Sequence, residues 1–205
     1  MNAIIVLIIA LACAVTFQFY KGRKLNLLLM RHYLNEIESV IKPLERDYIW
    51  LGGYVGYKGM YKVSRLKGVE TTLTLLPRQS MLYFPISLIT SRHDKLYLLF
   101  KLKFKSGGEV HLIQRRYFRI KPKINESLSK EIVRIENVEF EASYNDRSLL
   151  DDVASVLSSL PNPRNIKQIS IHSDVFYVFM KPEPENVKAF VKKLYEFACE
   201  LSSHK

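Results

Sequence analysis

The sequence predicts an α+β protein in which one membrane-spanning helix precedes a mixed domain with an antiparallel sheet and amphipathic helices. Three observations support this fold class. The first 20 of the 205 residues contain no charged side chain. Short runs of aromatic and β-branched residues, broken by turn residues, extend over residues 48–180. Two later segments, 147–160 and 184–201, repeat apolar residues at helical spacing.

Residues 1–20 are the predicted transmembrane anchor. The 18 residues from 3 to 20 would form a helix of roughly 27 Å, which is close to the hydrocarbon thickness of a bilayer. Basic residues follow the apolar stretch at once and flank it on this side only, at Lys21, Arg23 and Lys24. By the positive-inside rule, the N-terminus lies outside and residues 21–205 lie in the cytoplasm.

Two other interpretations of the first segment stay open. A cleaved signal peptide would have a basic start, a shorter apolar core and a small-x-small cleavage site, of which only Ala10-Leu11-Ala12 offers a trace. A buried helix of a soluble domain would carry a polar face, which this stretch lacks. The uncleaved anchor therefore explains the pattern best.

Residues 21–47 are predicted to contain a juxtamembrane amphipathic helix. From Leu25 to Ile41 apolar residues recur at helical spacing, and Pro43 marks the end of the helix. Between the anchor and this helix, Gly22 is the one residue that would interrupt a helix, so the two are expected to be continuous. We expect its apolar side to pack on the domain, with a lipid-surface or partner-binding role as the alternative.

Residues 48–125 are predicted to be a basic, β-rich region, since they carry 15 basic and 3 acidic side chains. A glycine-containing strand pair is expected at 48–63, a strand at 69–76 and a short helix at 81–89. Two further strands, at 96–104 and 110–120, are expected to form an antiparallel hairpin around Ser106-Gly107-Gly108.

The predicted hairpin carries the densest group of basic residues in the chain. Because residues two apart in a strand point the same way, its lysines are predicted to share one face. The candidate polyanion-binding face is Lys101, Lys103, Lys105, Arg115, Arg116 and Arg119. Anionic lipid headgroups and ribosomal RNA are its candidate ligands. A solvated surface, or structural pairing with the acidic run Glu136, Glu139 and Glu141, is the alternative.

Residues 126–205 are predicted to be an α+β region with a strand at 132–142, the two helices named above and two short strands at 166–172 and 175–180. Residues 48–205 are expected to form one cytosolic unit. Cys13 and Cys199 offer no disulfide framework, which agrees with a reducing compartment.

Catalytic signatures are missing from the sequence. The five histidines are isolated from one another, and no GxSxG or GxxxxGK[ST] motif occurs. We therefore expect a non-enzymatic protein without a catalytic residue, metal or cofactor. The alternative is a membrane-anchored enzyme or ligand-binding domain whose site is assembled from dispersed residues such as Glu70, Arg78 and His93.

The order of these features resembles the calumin family, the coiled-coil-domain subunit of the PAT complex in the multipass translocon. The resemblance is carried by LTLLPRQSMLYFPISLI at 73–89, with the motif Arg78, Gln79 and Ser80, and by IKQISIHSDVFYVFMKPEPENVKAFVKKLYEFACEL at 166–201. The family's lumenal region and coiled-coil tail have no counterpart here, so the chain is similar to a reduced relative, expected in a prokaryotic cell membrane rather than the endoplasmic reticulum.

The resemblance implies a membrane-tethered cytosolic domain that helps multi-spanning membrane proteins insert and fold. The Sec translocon and a partner membrane protein are the implied neighbours, with ribosome contact as a further expectation. A domain that binds only anionic lipid is the remaining alternative.

Overall fold

One unbroken helix, α1, runs from Ala3 to Ile41 in the computed structural model, which describes residues 2–118, 122, 124 and 127–203. It precedes an antiparallel sheet with further helices, which confirms the predicted α+β class. The N-terminal part of α1 is exposed and has a mean hydropathy of 2.4 over 18 residues, so α1 is long and apolar enough to cross a membrane. The predicted continuity through Gly22 and the end before Pro43 are both confirmed.

Nine strands within the described residues form a single antiparallel sheet in the order β1-β2-β3-β4-β9-β8-β5-β7-β6. Their bounds are β1 Glu45–Trp50, β2 Gly56–Lys62, β3 Gly68–Thr74, β4 Lys95–Lys101, β5 Val110–Gln114, β6 Ser129–Ile135, β7 Val138–Tyr144, β8 Ile166–His172 and β9 Val175–Met180. The sheet thus combines strands from the regions before and after residue 125.

Three shorter helices complete the fold: α2 at Tyr83–Thr90, α3 at Arg147–Ser158 and α4 at Val187–Leu201. The helix α3 packs on β6, β7 and α4, and α1 packs beside α4. Alternate strand residues such as Leu96, Leu98 and Phe100 are fully buried in the core beneath these helices. The amphipathic patterns of α3 and α4 are confirmed, because their predicted inward residues are the buried or half-buried ones.

The strand register defines two ends of the sheet. At one end Trp50 pairs with Tyr57, and Thr74 pairs with Lys95. At the other end Glu45 pairs with Lys62. Because α1 ends at Ile41 just before β1 begins, its apolar segment leaves the domain at the end that holds Trp50. We call this the anchor end and the opposite one the far end.

The second half of α1 packs on the domain through one stripe of buried residues. This stripe consists of Gly22, Asn26, Met30, Tyr33, Ile37 and Ile41, at the three- and four-residue spacing of one helix face. The expected docking of the amphipathic segment is confirmed. Two of the apolar residues that suggested it, Leu27 and Leu28, are exposed instead.

The predicted hairpin of residues 96–104 and 110–120 is wrong. The strand β4 pairs with β3 and β9, whereas β5 pairs with β7 and β8, so two strands separate the expected partners. Sequence proximity and a glycine-containing turn favoured a local pairing, but the later hairpin of β8 and β9 occupies the space between the two strands.

The single strand predicted at 132–142 is also wrong, since this segment forms the hairpin of β6 and β7. The turn contains Glu136 in the left-handed region, with φ 51°. The alternating pattern continued across this turn and concealed it.

Candidate functional site

The helix α1 and the rest of the domain approach each other closely at Gly22, just beyond the apolar segment. Here the loop after β3 crosses the helix so tightly that a Cβ atom on Gly22 would lie 2.1 Å from the carbonyl oxygen of Arg78. One turn earlier, Gln18 donates a hydrogen bond to the same oxygen, at 2.8 Å. The loop is therefore seated directly against the helix where the helix leaves the domain.

Asn26, one turn later, is a fully buried polar residue in this contact. Its Nδ2 donates to the backbone oxygens of Tyr54, at 2.8 Å, and Leu76, at 2.9 Å. Its Oδ1 accepts from Arg78 Nη1 at 3.0 Å. The amide thus connects α1 both to the β1–β2 turn and to the loop after β3.

An ion pair closes the base of the segment between β3 and β4. The Arg78 guanidinium donates two hydrogen bonds to Asp94, at 3.0 Å to Oδ1 and 2.8 Å to Oδ2. Asp94 Oδ1 also accepts from the backbone N–H of Leu76 at 2.8 Å. Two-point pairing of this kind fixes the orientation of both groups. We call Gly22, Asn26, Arg78 and Asp94 the helix–loop junction.

The predicted motif residues Arg78, Gln79 and Ser80 therefore lie in or beside this junction. Gln79 Oε1 is 3.3 Å from Asn26 Nδ2, and Ser80 Oγ accepts from the Tyr83 N–H at 3.2 Å as α2 begins. The visible role of all three residues is to hold the loop.

A buried tyrosine extends the polar contact towards the core. Burial raises the pKa of the Tyr33 phenol well above its usual range, and the carboxylate of Asp94 raises it further. Burial also lowers the pKa of His93, which bonds through Nδ1 to the Asp94 carbonyl oxygen at 2.6 Å and through Nε2 to the Tyr117 hydroxyl at 3.0 Å.

Basic and aromatic residues lie on α1 and beside it where the helix leaves the domain. The Arg23 guanidinium lies 4.5 Å from the centroid of the Tyr54 ring, and the Lys21 ammonium lies 5.9 Å from that of Phe17. Lys24 is exposed. Phe19 meets Tyr54 edge to face at 6.3 Å. Aromatic and basic side chains of this kind are typical of membrane–water interfaces.

An apolar groove opens beside α1 on the side of β1. Its volume is about 350 Å³, and its walls are almost entirely apolar. The lining residues are Leu27, Met30, Arg31, Leu34, Tyr48, Trp50 and Tyr57. Of these, Trp50 is 63% exposed at the anchor end of β1.

The described residues of the predicted polyanion-binding face lie at two opposite ends of the sheet and do not form one surface. Strand β4 ends at Lys101, so the alternation that would align Lys103 and Lys105 with it stops there. These three lysines lie at the far end, where Lys101 pairs with Glu70 at 2.5 Å and Lys103 Nζ donates to the Ser64 carbonyl oxygen at 2.9 Å. The bond to Lys101, followed by that to Lys58, lowers the pKa of Glu70.

Arg115 and Arg116 lie at the opposite, anchor end. There they line an open cavity of about 570 Å³ together with Arg134 and Arg164, which come from distant parts of the sequence. Arg134 and Arg115 both pair with Glu139, at 2.7 and 2.9 Å, and lower its pKa. The alternative interpretation, in which the acidic run pairs with these basic residues, holds for Glu139 with Arg115. Arg119 lies outside the described residues.

Sequence reasoning missed Asn26, Asp94, Arg134 and Arg164. A buried asparagine inside an amphipathic helix was the one available signal, because an amide on an apolar face requires partners. Nothing local linked Arg134 and Arg164 to Arg115, since only the strand order brings them together.

No family model and no curated protein matches the chain. A solved structure with similarity to it is the crystal structure of the mycobacterial trehalose monomycolate transport factor A, TtfA. The match has a TM-score of 0.45 at 10% sequence identity and covers 84% of this chain and 96% of that one. A likeness at this level says nothing about function.

We expect Gly22→Ala to destabilise the protein. Alanine favours a helix by about 1 kcal/mol over glycine, but the overlap with the Arg78 backbone should cost about 1–3 kcal/mol. Denaturant unfolding of the full chain in detergent, followed by circular dichroism, measures the difference. Lys24→Ala on the exposed side of the same turn is the control. A stabilised Gly22→Ala variant would show that helix and loop are not in tight contact.

We expect Asn26→Leu to lower the free energy of unfolding by about 2–5 kcal/mol, because each buried group left without a partner costs about 1–3 kcal/mol. The same substitution at the exposed Asn35 of α1 should change it by less than about 0.5 kcal/mol. The same unfolding measurement compares the two variants. Equal effects at both positions would contradict a structural role for the buried amide.

Proposed function

We propose that this chain is a non-enzymatic, single-pass membrane protein that assists the insertion and folding of multi-spanning membrane proteins beside the Sec translocon. In this proposal residues 3–20 cross a prokaryotic cell membrane with the N-terminus outside, and the sheet domain lies in the cytoplasm. The basic residues after the apolar segment support this orientation. The resemblance of residues 73–89 and 166–201 to calumin supports the translocon as the neighbour.

The observation that carries the proposal is the rigid connection between the apolar segment and the domain. A single helix continues from that segment into the core, and the helix–loop junction fastens it within two turns of the point where it leaves the domain. The domain is therefore held against the membrane surface instead of hanging on a flexible linker. Such placement suits a protein that acts on membrane-embedded partners.

The apolar groove supplies a surface for such partners. It begins at Leu27, about 15 Å along the helix from Phe17 at a rise of about 1.5 Å per residue. At that distance it lies close beneath the headgroups of the cytoplasmic leaflet. An apolar segment of a client protein that has not yet entered the bilayer would be shielded there from water.

Anionic lipid binding is a second candidate function, favoured by the arginine-lined cavity at the anchor end. Four arginines line that cavity, and two of them, Arg115 and Arg134, pair with the carboxylate of Glu139. The dispersed enzyme site gains no comparable support, because Glu70 is engaged by Lys58 and Lys101 whereas Arg78 is engaged by Asn26 and Asp94.

We expect a photo-crosslinker at Leu27 or Trp50 to capture multi-spanning membrane proteins or the Sec channel in native membranes. The control position is Leu44, an exposed apolar residue at the far end, which should not capture them. Mass spectrometry of the adducts identifies the partners. If the groove positions yield only lipid adducts, or if Leu44 captures the same proteins, the proposed role fails.

Ribosome contact is tested separately, since the far end points away from the membrane in this proposal. We expect Lys103→Glu with Lys105→Glu to reduce co-sedimentation of the detergent-solubilised chain with ribosomes at low salt, because the far-end lysines would then repel RNA phosphates. Arg116→Glu with Arg164→Glu makes the same change of charge at the anchor end and should leave co-sedimentation unchanged. Equal losses for the two pairs would indicate non-specific attraction.

A further inference from the structure

The segment between Arg78 and Arg92 is an uncharged excursion from the sheet. The 13 residues from Gln79 to Ser91 contain no charged side chain and include α2. The excursion connects the anchor-end termini of β3 and β4, and the Arg78–Asp94 ion pair joins its two ends. It therefore projects from a fixed base beyond the end of the sheet.

An ordinary surface helix buries apolar residues and exposes polar ones, whereas α2 buries a serine and exposes apolar residues. Its one buried residue is Ser87, whose hydroxyl donates to the carbonyl oxygen of Phe84 at 2.7 Å. Leu82 and Ile89 are 79% and 75% exposed. Met81, Tyr83, Ile86 and Leu88 are exposed as well. A continuous apolar patch of this kind marks a surface that another apolar phase covers.

The position of the excursion indicates that the lipid bilayer is the apolar phase that covers the patch. The loop that begins it is in contact with Gln18, near the end of the proposed span, and with Gly22, two residues beyond it. Gly22 lies about 7.5 Å along the helix from Phe17. Interfacial helices lie about 5–10 Å deep at the boundary of headgroups and acyl chains. The excursion thus starts at the level where such helices are found.

The surroundings of the excursion match a lipid interface. Arg78 and Arg92 flank it in sequence, and the exposed rings of Tyr83 and Trp50 lie at the same end of the sheet. A helix that binds a protein groove presents one apolar stripe. In α2 every side except that of Ser87 exposes apolar residues, which suits a fluid hydrocarbon phase that can surround it.

We propose that α2 is a second membrane contact, inserted into the interfacial layer of the same bilayer that the N-terminal segment crosses. This inference rests on the membrane anchorage in the proposed function and not on the identity of its partners. With two contacts, the domain cannot rotate about the axis of α1. The apolar groove and the arginine-lined cavity then keep one orientation relative to the membrane plane.

Tryptophan quenching by brominated lipids tests this insertion in the full chain reconstituted into phosphatidylcholine–phosphatidylglycerol vesicles. Trp50 is the single tryptophan, so a Trp50→Phe background allows new probes at Ile89→Trp in the excursion and at Phe104→Trp, an exposed residue at the far end. We expect severalfold stronger quenching and blue-shifted emission for Ile89→Trp. Phe104→Trp should respond only to aqueous iodide.

A third probe, Phe17→Trp, distinguishes a failure of the membrane anchorage from a failure of the insertion of α2. If Phe17→Trp is quenched by lipid and Ile89→Trp is not, the membrane anchorage stands and the insertion of α2 is overturned. If neither is quenched, the anchorage itself fails. If Ile89→Trp is shielded from both iodide and lipid bromine, a protein surface covers α2, which also overturns the inference.

Discussion

The amide of Asn26 and the ion pair between Arg78 and Asp94 hold together the two parts of this molecule that differ most in character. One part is the apolar segment of α1, whose most apolar 18-residue stretch is not buried in the domain, and the other is a nine-stranded sheet with a buried apolar core. A polar contact in this position is directional, unlike apolar packing, because a hydrogen bond has a preferred distance and angle. It therefore sets the angle at which α1 leaves the domain as well as the attachment.

The close approach at Gly22 makes this polar contact possible. Without a side chain at that position the loop comes near enough for Gln18 and Asn26 to reach its backbone from successive turns of the helix. The conformational cost of glycine in a helix, about 1 kcal/mol, is offset by the hydrogen bonds that follow. The same loop then directs α2 outward, so one contact positions both the helix and the excursion.

The strand order also changes the interpretation of the basic charge of the domain. As a single basic block, residues 48–125 suggested one polyanion-binding face. The strand order separates the block into lysines at the far end, partly neutralised by Glu70, and arginines at the anchor end, joined there by Arg134 and Arg164. Charges close in sequence are thus distant in space, and charges distant in sequence form a cavity.

The sequence by itself determined the elements whose signal is periodic and local. The apolar stretch, its continuation into an amphipathic helix that ends before Pro43, and the inward faces of α3 and α4 follow from spacing alone. Only the tertiary structure decided which strands are neighbours, since β8 and β9 enter between β4 and β5 from the last third of the chain.

For the apolar N-terminal segment, too, the sequence determined one property and the tertiary structure another. Its composition predicts a span, but the partners of Asn26 lie 28 to 53 residues away along the chain. Hydrogen bonds of this kind leave no periodic trace in the sequence, because their geometry arises when separate elements pack. Whether the span is a loose tether or the extension of a fixed helix was therefore decided by long-range contacts.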